Sequence, residues 1–328
     1  MTAAQESPRP DPRADLNLGL IGAGPWGRNY IRTLQALGGV TLSRLASRNP
    51  ESPTLAGPDC RISADWKEVM EAGDLDGVII ATPPALHAEM TLAAIEMNLP
   101  VLVEKPMTMS AGDADAVMEA ARSKDSIVLV DHIHLYSAAW EALKREAQTL
   151  GPLRALAAVG GKWGMFRADT PVLWDWASHY VALGLDLTGR QPETTLAKRV
   201  EARDVEDSEG MKGGKGETLA LELRFGDVAA TIAVSNLYPE KKRLFTAAFE
   251  KGELIYDDTS EEKLRRKMEP DDPAVSVPLG DGAPLERVVL AFRDAILKKA
   301  PNMKDAVMGR DVVRVLAEMD RQLGQNML

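Results

Sequence analysis

The 328-residue chain holds a single cysteine, Cys60, and four histidines. One cysteine excludes an internal disulfide and leaves no partner thiolate for a zinc site, which fits a reducing cytoplasm. Cys60 itself reads as a small buried or loop residue without chemistry. The four histidines, His87, His132, His134 and His179, lack the cysteine or paired-carboxylate spacing of metal ligands, so no metal is expected. No apolar run approaches the ~20 residues that span a bilayer, and the polar opening MTAAQESPRPDPRAD lacks the apolar core of a secretory segment. Residues 1–15 read as a disordered lead-in. Strong basic clusters are missing as well. The net charge is −10, and the short runs Lys241-Lys242-Arg243 and Lys263-Leu-Arg-Arg-Lys267 are flanked by acids. That balance argues against nucleic acid or an anionic membrane as a partner.

What is present is an ordinary globular composition, 45% hydrophobic and 27% charged, long enough for one large domain or two of usual size. Leu16-Asn-Leu-Gly-Leu-Ile21 is a short apolar strand. It runs into Gly22-Ala-Gly24-Pro25-Trp26-Gly27 and then into a segment where Tyr30, Leu34 and Leu37 recur at helical spacing. Strand, glycine turn and helix in that order give G-x-G-x-x-G its meaning. Gly22 permits the tight turn, Gly24 lets the backbone approach a pyrophosphate, and Gly27 lets helix and strand pack closely. The next strand, 40–46, ends at Ser47 and Arg48, where an NAD-preferring site usually carries an acid. A hydroxyl and a guanidinium suit a 2′-phosphate, so NADP is preferred, with NAD possible.

Further strands at 75–82, 100–103 and 126–130 alternate with helices at 85–98 and 111–123. This predicts a doubly wound parallel sheet with its ligand at the carboxyl ends of the strands. Gly24, Ser47, Thr82, Lys105 and His134 all fall at or just past such ends. Beyond Gly151-Pro152 the texture changes to closely spaced strands at 153–159, 196–202, 217–225, 228–237, 243–250 and 253–256, with glycine-rich turns such as Gly213-Gly214-Lys-Gly216. They imply an α+β second domain with a largely antiparallel, open sheet. One face would be covered by helices 178–188, 285–299 and 304–322, and the other left free for self-association. The expected division is a Rossmann dinucleotide domain over 16–135 and a substrate-binding and oligomerisation domain over 136–328, whose last helix packs back on the first.

Four motifs in order resemble the glucose–fructose oxidoreductase/inositol dehydrogenase/rhizopine catabolism family. They are G-x-G-x-x-G, then T-P-x-x-x-H from Thr82 and Pro83 to His87, then Glu104-Lys105-Pro106, then D-x-x-x-H from Asp175 to His179. The likeness runs from about Leu16 to Gly309-Arg310-Asp311. It implies a nicotinamide oxidoreductase acting on a sugar, nucleotide-linked sugar or cyclitol, working as a homodimer or homotetramer through its C-terminal sheet. In the family the lysine of E-K-P meets substrate and nicotinamide ribose, and the later aspartate and histidine complete the polyol site. Here Gly22, Gly24, Pro25, Trp26, Gly27, Ser47, Arg48, Thr82, Pro83, His87, Glu104 and Lys105 are the candidate cofactor contacts. Lys105, His132, His134, Trp163, Asp175 and His179 are the candidate substrate contacts. Three departures touch the pocket: Ala177 and Ala182 stand where glycine and aspartate are frequent, and Asp131 stands where glycine is common.

Oxidising a secondary alcohol requires a base for the hydroxyl proton, and His179 is the natural candidate. Lys105 would bond the reacting oxygen. Asp175, four residues before His179, would share its helix face, hold a hydroxyl and favour the imidazolium. The alternative is a catalytically silent NAD(P)-binding regulator of the same fold, which would be marked by loss of this reactive set.

Overall fold

The computed structural model describes residues 15–167, 169–208, 212–300 and 303–325, so the lead-in lies outside the described residues except for Asp15. The first half contains strands β1 (Leu16–Ile21), β2 (Val40–Ala46), β3 (Arg61–Ser63), β4 (Gly77–Ile80), β5 (Val101–Glu104) and β6 (Val128–Asp131). Between them run α1 (Gly27–Ala36), α2 (Ser52–Ala56), α3 (Trp66–Met70), α4 (His87–Glu96) and α5 (Ala111–Ser123). All pairings in this sheet are parallel, in the order β3-β2-β1-β4-β5-β6. The order reverses between β1 and β4, and the crevice above that reversal is where such sheets hold ligands. Strands β4, β5 and β6 are buried along their whole length, because helices cover both faces.

The second half opens with α6 (Ala138–Ala147), an amphipathic helix whose N-terminus is capped by Ser137 Oγ accepting from Ala139 N at 3.2 Å. Sequence periodicity missed it because the segment is short and follows directly on a 3₁₀ turn, Ile133–Tyr136. Strands β7 (Leu153–Gly161), β8 (Thr194–Val205), β9 (Gly214–Phe225), β10 (Val228–Ser235), β11 (Lys242–Phe249), β12 (Gly252–Asp257), β13 (Leu264–Lys267) and β14 (Val275–Ser276) form the second sheet. Helices α7 (Ser178–Thr188), α8 (Pro284–Lys298) and α9 (Met303–Gln325) accompany it. The sheet order is β14-β13-β12-β11-β7-β10-β9-β8, antiparallel throughout except for the parallel pair β7/β10. The fold class is thus α/β, with a doubly wound sheet followed by a largely antiparallel α+β half.

Two expectations are corrected. Gly214 and Gly216 are not turn residues: they pair with Val205 and Arg203 inside β9. Their lack of a side chain serves packing instead, since a Cβ on Gly216 would sit 2.4 Å from Leu237 Cδ2. Helix α8 does not cover the antiparallel sheet. Its Leu285, Val288, Val289 and Phe292, spaced to share one face, join Leu18, Leu20 and Tyr30 in the core beneath the parallel sheet. Gly77 admits this helix closely, because a Cβ there would lie 2.9 Å from the Phe292 ring. Helix α9 lies between the halves, packed on α5 and β6 on one side and on α7 and β8 on the other.

Candidate active site

The glycine turn between β1 and α1 divides its work as the spacing predicts. Gly22 has φ +102°, and a Cβ there would lie 2.5 Å from the carbonyl oxygen of Ala81. A Cβ on Gly27 would lie 2.0 Å from Gly22 O. Gly24 faces open space, with nothing within 4 Å of its notional Cβ. Pro25 is exposed, Trp26 is 36% exposed, and no side chain caps the N-terminus of α1. An uncapped helix start beside a bare glycine backbone fits a pyrophosphate, which the free N–H groups and helix dipole favour. At the end of β2, Ser47 Oγ accepts from Asn49 N at 3.1 Å and from Ser52 Oγ at 2.8 Å. Arg48 is exposed and makes no hydrogen bond or ion pair among the described residues.

Beyond β4, Thr82 is half-buried and Pro83 exposed, while His87 is buried. The His87 ring spans two carbonyls, Nδ1 at 2.8 Å from Pro106 O and Nε2 at 2.9 Å from Thr82 O. It thereby joins the ends of β4 and β5 and takes the role of a brace. Burial lowers its proton affinity, against the pull of those two oxygens.

At the end of β5, Lys105 Nζ donates to Asp175 Oδ1 at 2.9 Å and to the Asp175 carbonyl oxygen at 2.7 Å. Burial would raise the Asp175 carboxyl, but Lys105 and then Arg167, 3.8 Å from Oδ1, hold it below the usual carboxylate range. Asp175 lies in a π turn, Leu173–Ala177, and His179 in the α-helix that follows. The wider turn breaks the four-residue alignment expected of a continuous α-helix. Asp175 accordingly turns to Lys105 and makes no hydrogen bond to His179. The expectation that Asp175 favours an imidazolium is overturned. Burial first, and then Lys105, His134 and Arg243, push the His179 imidazole well below its ordinary range, so it is neutral.

His134 donates to or accepts from Tyr256 Oη through Nδ1 at 2.8 Å and meets His179 edge-on, ring centres 4.8 Å apart. Burial drives His134 down to about 4. His132, buried and with neither ring nitrogen partnered, is pushed to about 3 by burial and by Lys105. Behind Lys105 lies a pair of buried acids, Glu104 and Asp131, opposite each other on β5 and β6. Tyr30 Oη donates to Asp131 Oδ2 at 2.6 Å. Burial raises both, Asp131 to about 6, and the neighbouring carboxylate adds to the rise of Glu104.

Lys105, Asp175, His179, His134 and His132 are therefore brought together, with Glu104 and His87 behind them. The Trp163 ring meets Phe166 edge-on at 5.5 Å and lies under Arg203. Arg167, Tyr256 and Arg243 belong to the neighbourhood but carry no local motif; a loop brings in Arg167, and long-range strand placement brings in Tyr256 and Arg243. Among the described residues no group of three histidine, cysteine or acidic side chains is arranged to hold a metal. Nor is any helix of the described residues long and apolar enough to cross a membrane.

Residues 16–132 match a family model described as an oxidoreductase family with an NAD-binding Rossmann fold. Inositol 2-dehydrogenase from Klebsiella pneumoniae (strain 342) is 35% identical over 139 residues, a match spanning 40% of this chain and 40% of that relative's length. A crystal structure from Magnetospirillum magnetotacticum MS-1, described as an oxidoreductase, is 39% identical with a TM-score of 0.85, covering 92% of this chain and 99% of the other. The UDP-N-acetylglucosamine 3-dehydrogenase of Acidithiobacillus ferrooxidans shares the fold, at 22% identity and a TM-score of 0.79 over 96% of this chain and 99% of that one.

Proposed function

Because the chain belongs to the glucose–fructose oxidoreductase/inositol dehydrogenase/rhizopine catabolism family of oxidoreductases, we propose that it is an NAD(P)-dependent dehydrogenase. It moves a hydride between a nicotinamide and a secondary hydroxyl or ketone of a sugar, nucleotide-linked sugar or cyclitol. The observation that carries this reading is the contact of Lys105 Nζ with Asp175 at the end of β5, beside a neutral, half-buried His179. Inositol 2-dehydrogenase and UDP-N-acetylglucosamine 3-dehydrogenase among the relatives and fold neighbours support a polyol substrate.

The dinucleotide, when bound, supplies the hydride acceptor or donor. Gly22, Gly24, Pro25, Trp26 and Gly27 would hold its pyrophosphate. Ser47 and Arg48 would hold the adenosine ribose end, and Thr82, Pro83, His87, Glu104 and Lys105 would frame the nicotinamide end. In oxidation, neutral His179 takes the hydroxyl proton. Lys105 donates a hydrogen bond to the reacting oxygen as it becomes a carbonyl, and Asp175 fixes the ammonium in place. His132 and His134 line the substrate side, with Trp163 at its outer edge. We assign 16–135 to cofactor binding and 136–328 to substrate binding, with a homodimer or homotetramer formed through the second sheet. A silent regulator would be expected to have lost part of the reactive set, and Lys105, Asp175 and His179 are all present.

NADP is the proposed preferred cofactor, because Arg48 at the end of β2 is an exposed guanidinium with no partner among the described residues. Titration by energy transfer from tryptophan to NADPH or NADH tests this. NADPH is expected to bind at least about tenfold more tightly, and Arg48→Ala to remove that advantage while leaving NADH binding unchanged. Equal binding of both would overturn the preference and leave the dehydrogenase standing; binding of neither would overturn the dehydrogenase as well.

A further inference from the structure

We infer that the substrate carries an anionic substituent, a carboxylate or a phosphate, and that Arg243, paired with Trp176 and flanked by Lys241 and Lys162, forms the subsite that receives it. This rests on the dehydrogenase reading above and adds the class of substrate.

The first argument is a count of donors. The Arg243 guanidinium stands 5.8 Å from the centre of the Trp176 ring, one residue beyond Asp175. Its Nη1 donates to Asp258 Oδ2 at 2.9 Å, but its Nε is buried without an acceptor. Trp176 Nε1 is also buried without an acceptor. Two orphaned N–H donors in one stacked pair are costly, since indole and guanidinium can only donate. A ligand rich in acceptor oxygens would satisfy both.

The second argument is charge. Asp258 is the one carboxylate that Arg243 engages, and it is already shared with Lys263 Nζ at 3.0 Å. Strands β7 and β11 pair with Gly160 opposite Arg243 and Gly161 opposite Lys242. Lys241 and Lys162 lie just beyond the ends of these paired strands, near enough for the charge on Lys162 to act on Lys241. Both lysines are exposed, and the charges on Arg243, Lys162 and Lys263 depress Lys241. Four cations, Arg243, Lys263, Lys241 and Lys162, gather here, and Asp258 pairs with the first two. With Asp257 beside it, an excess of positive charge is left for an anion in a chain of net charge −10. The cluster adjoins the reacting groups, because Arg243 is among the charges that lower both His179 and His134.

The test is isothermal titration calorimetry of the full chain with D-glucuronate, glucose 6-phosphate, UDP-glucose and D-glucose, each with and without saturating NADP⁺. At least one anionic probe is expected to bind about tenfold or more tightly than D-glucose, and Arg243→Gln to abolish that advantage. Preference for glucuronate would identify a carboxylate, and preference for either phosphorylated probe a phosphate. If Arg243→Gln melts early, the exposed double variant Lys162→Gln/Lys241→Gln gives the same reading, with a loss of several-fold expected. D-glucose binding as tightly as every anion, no probe binding at all, or a preference untouched by the variants would overturn the subsite. Hydride transfer, followed separately at 340 nm, keeps the two readings apart. Turnover without anion preference sinks only the subsite, and anion preference without turnover sinks only the dehydrogenase.

Discussion

His179 and Asp131 are perturbed in opposite senses, and each perturbation has a measurable consequence. Burial and the Lys105 charge lower His179, so its base form persists well below pH 6.5. In the oxidation direction kcat/KM is expected to stay flat from neutrality down past pH 6.5, and to fall only where His179 finally takes a proton. A pH–rate profile reads this directly, since kcat/KM reports the groups of the free enzyme. A midpoint at or above 6.5 would assign the base elsewhere. His179→Asn should cost about 10²–10⁴-fold in kcat without weakening cofactor binding. Asp131 runs the other way. Burial raises it from 3.8 to about 6, so the native state holds a proton that the unfolded chain has released between those values. Its favourable contribution is complete below about pH 4 and is lost as pH rises through 6. Asp131→Asn keeps the acceptor for Tyr30 and removes that loss. It is expected to stabilise the protein on the order of 1–3 kcal/mol above pH 7 and to do almost nothing near pH 3, below the unfolded value of 3.8, as thermal melts at the two pH values would show.

At the scale of elements, the β1–turn–α1 unit separates folding from binding. Gly22 and Gly27 are held against backbone, with notional Cβ distances of 2.5 and 2.0 Å, whereas Gly24 has nothing within 4 Å. Gly27→Ala should therefore destabilise the whole protein. Gly24→Ala should leave the melting temperature within about 1–2 °C, yet weaken NADPH by tenfold or more. If both variants melt normally and bind normally, the turn does not hold a dinucleotide. This unit was legible in the sequence because strand, turn and helix follow one another within about twenty residues and show as spacing, although the close approach of Gly22 to Ala81 on the neighbouring strand does not. The parallel strands β4, β5 and β6 were legible for a similar reason, each being a short run buried on both faces. The π turn at Leu173–Ala177 was not, since one extra residue per turn leaves no mark in composition. Nor was the placement of α8, whose apolar face suits either sheet until the chain's path has chosen one. Arg167 and Arg243 were invisible as site residues because strand pairing and a loop, not local spacing, carry them to Asp175 and Trp176.

For the molecule as a whole, α9 is what joins cofactor half to substrate half. It lies against α5 and β6 on one side and α7 and β8 on the other, so neither half completes its core without it. The approach is close at Gly309, where a Cβ would stand 2.7 Å from Val130 Cγ2 and 3.1 Å from Met107 Sδ. Val130 directly precedes Asp131, and Met107 lies two residues beyond Lys105, so the helix presses on the two strand ends that carry the site. On the far side Gln322 ties the same helix to β8, its Oε1 accepting from Ala197 N at 2.9 Å and its Nε2 donating to Thr195 O at 3.1 Å. A helix anchored at both ends in different sheets couples their unfolding, and calorimetry of the wild type should show one cooperative transition. Gly309→Val overpacks the contact and should cost about 1–3 kcal/mol. Because the strain falls on β6 and the Lys105 segment, kcat should drop with it. Two separate transitions in the wild type, or a Gly309→Val protein with unchanged stability and rate, would mean that the halves stand independently and that α9 merely lies across them.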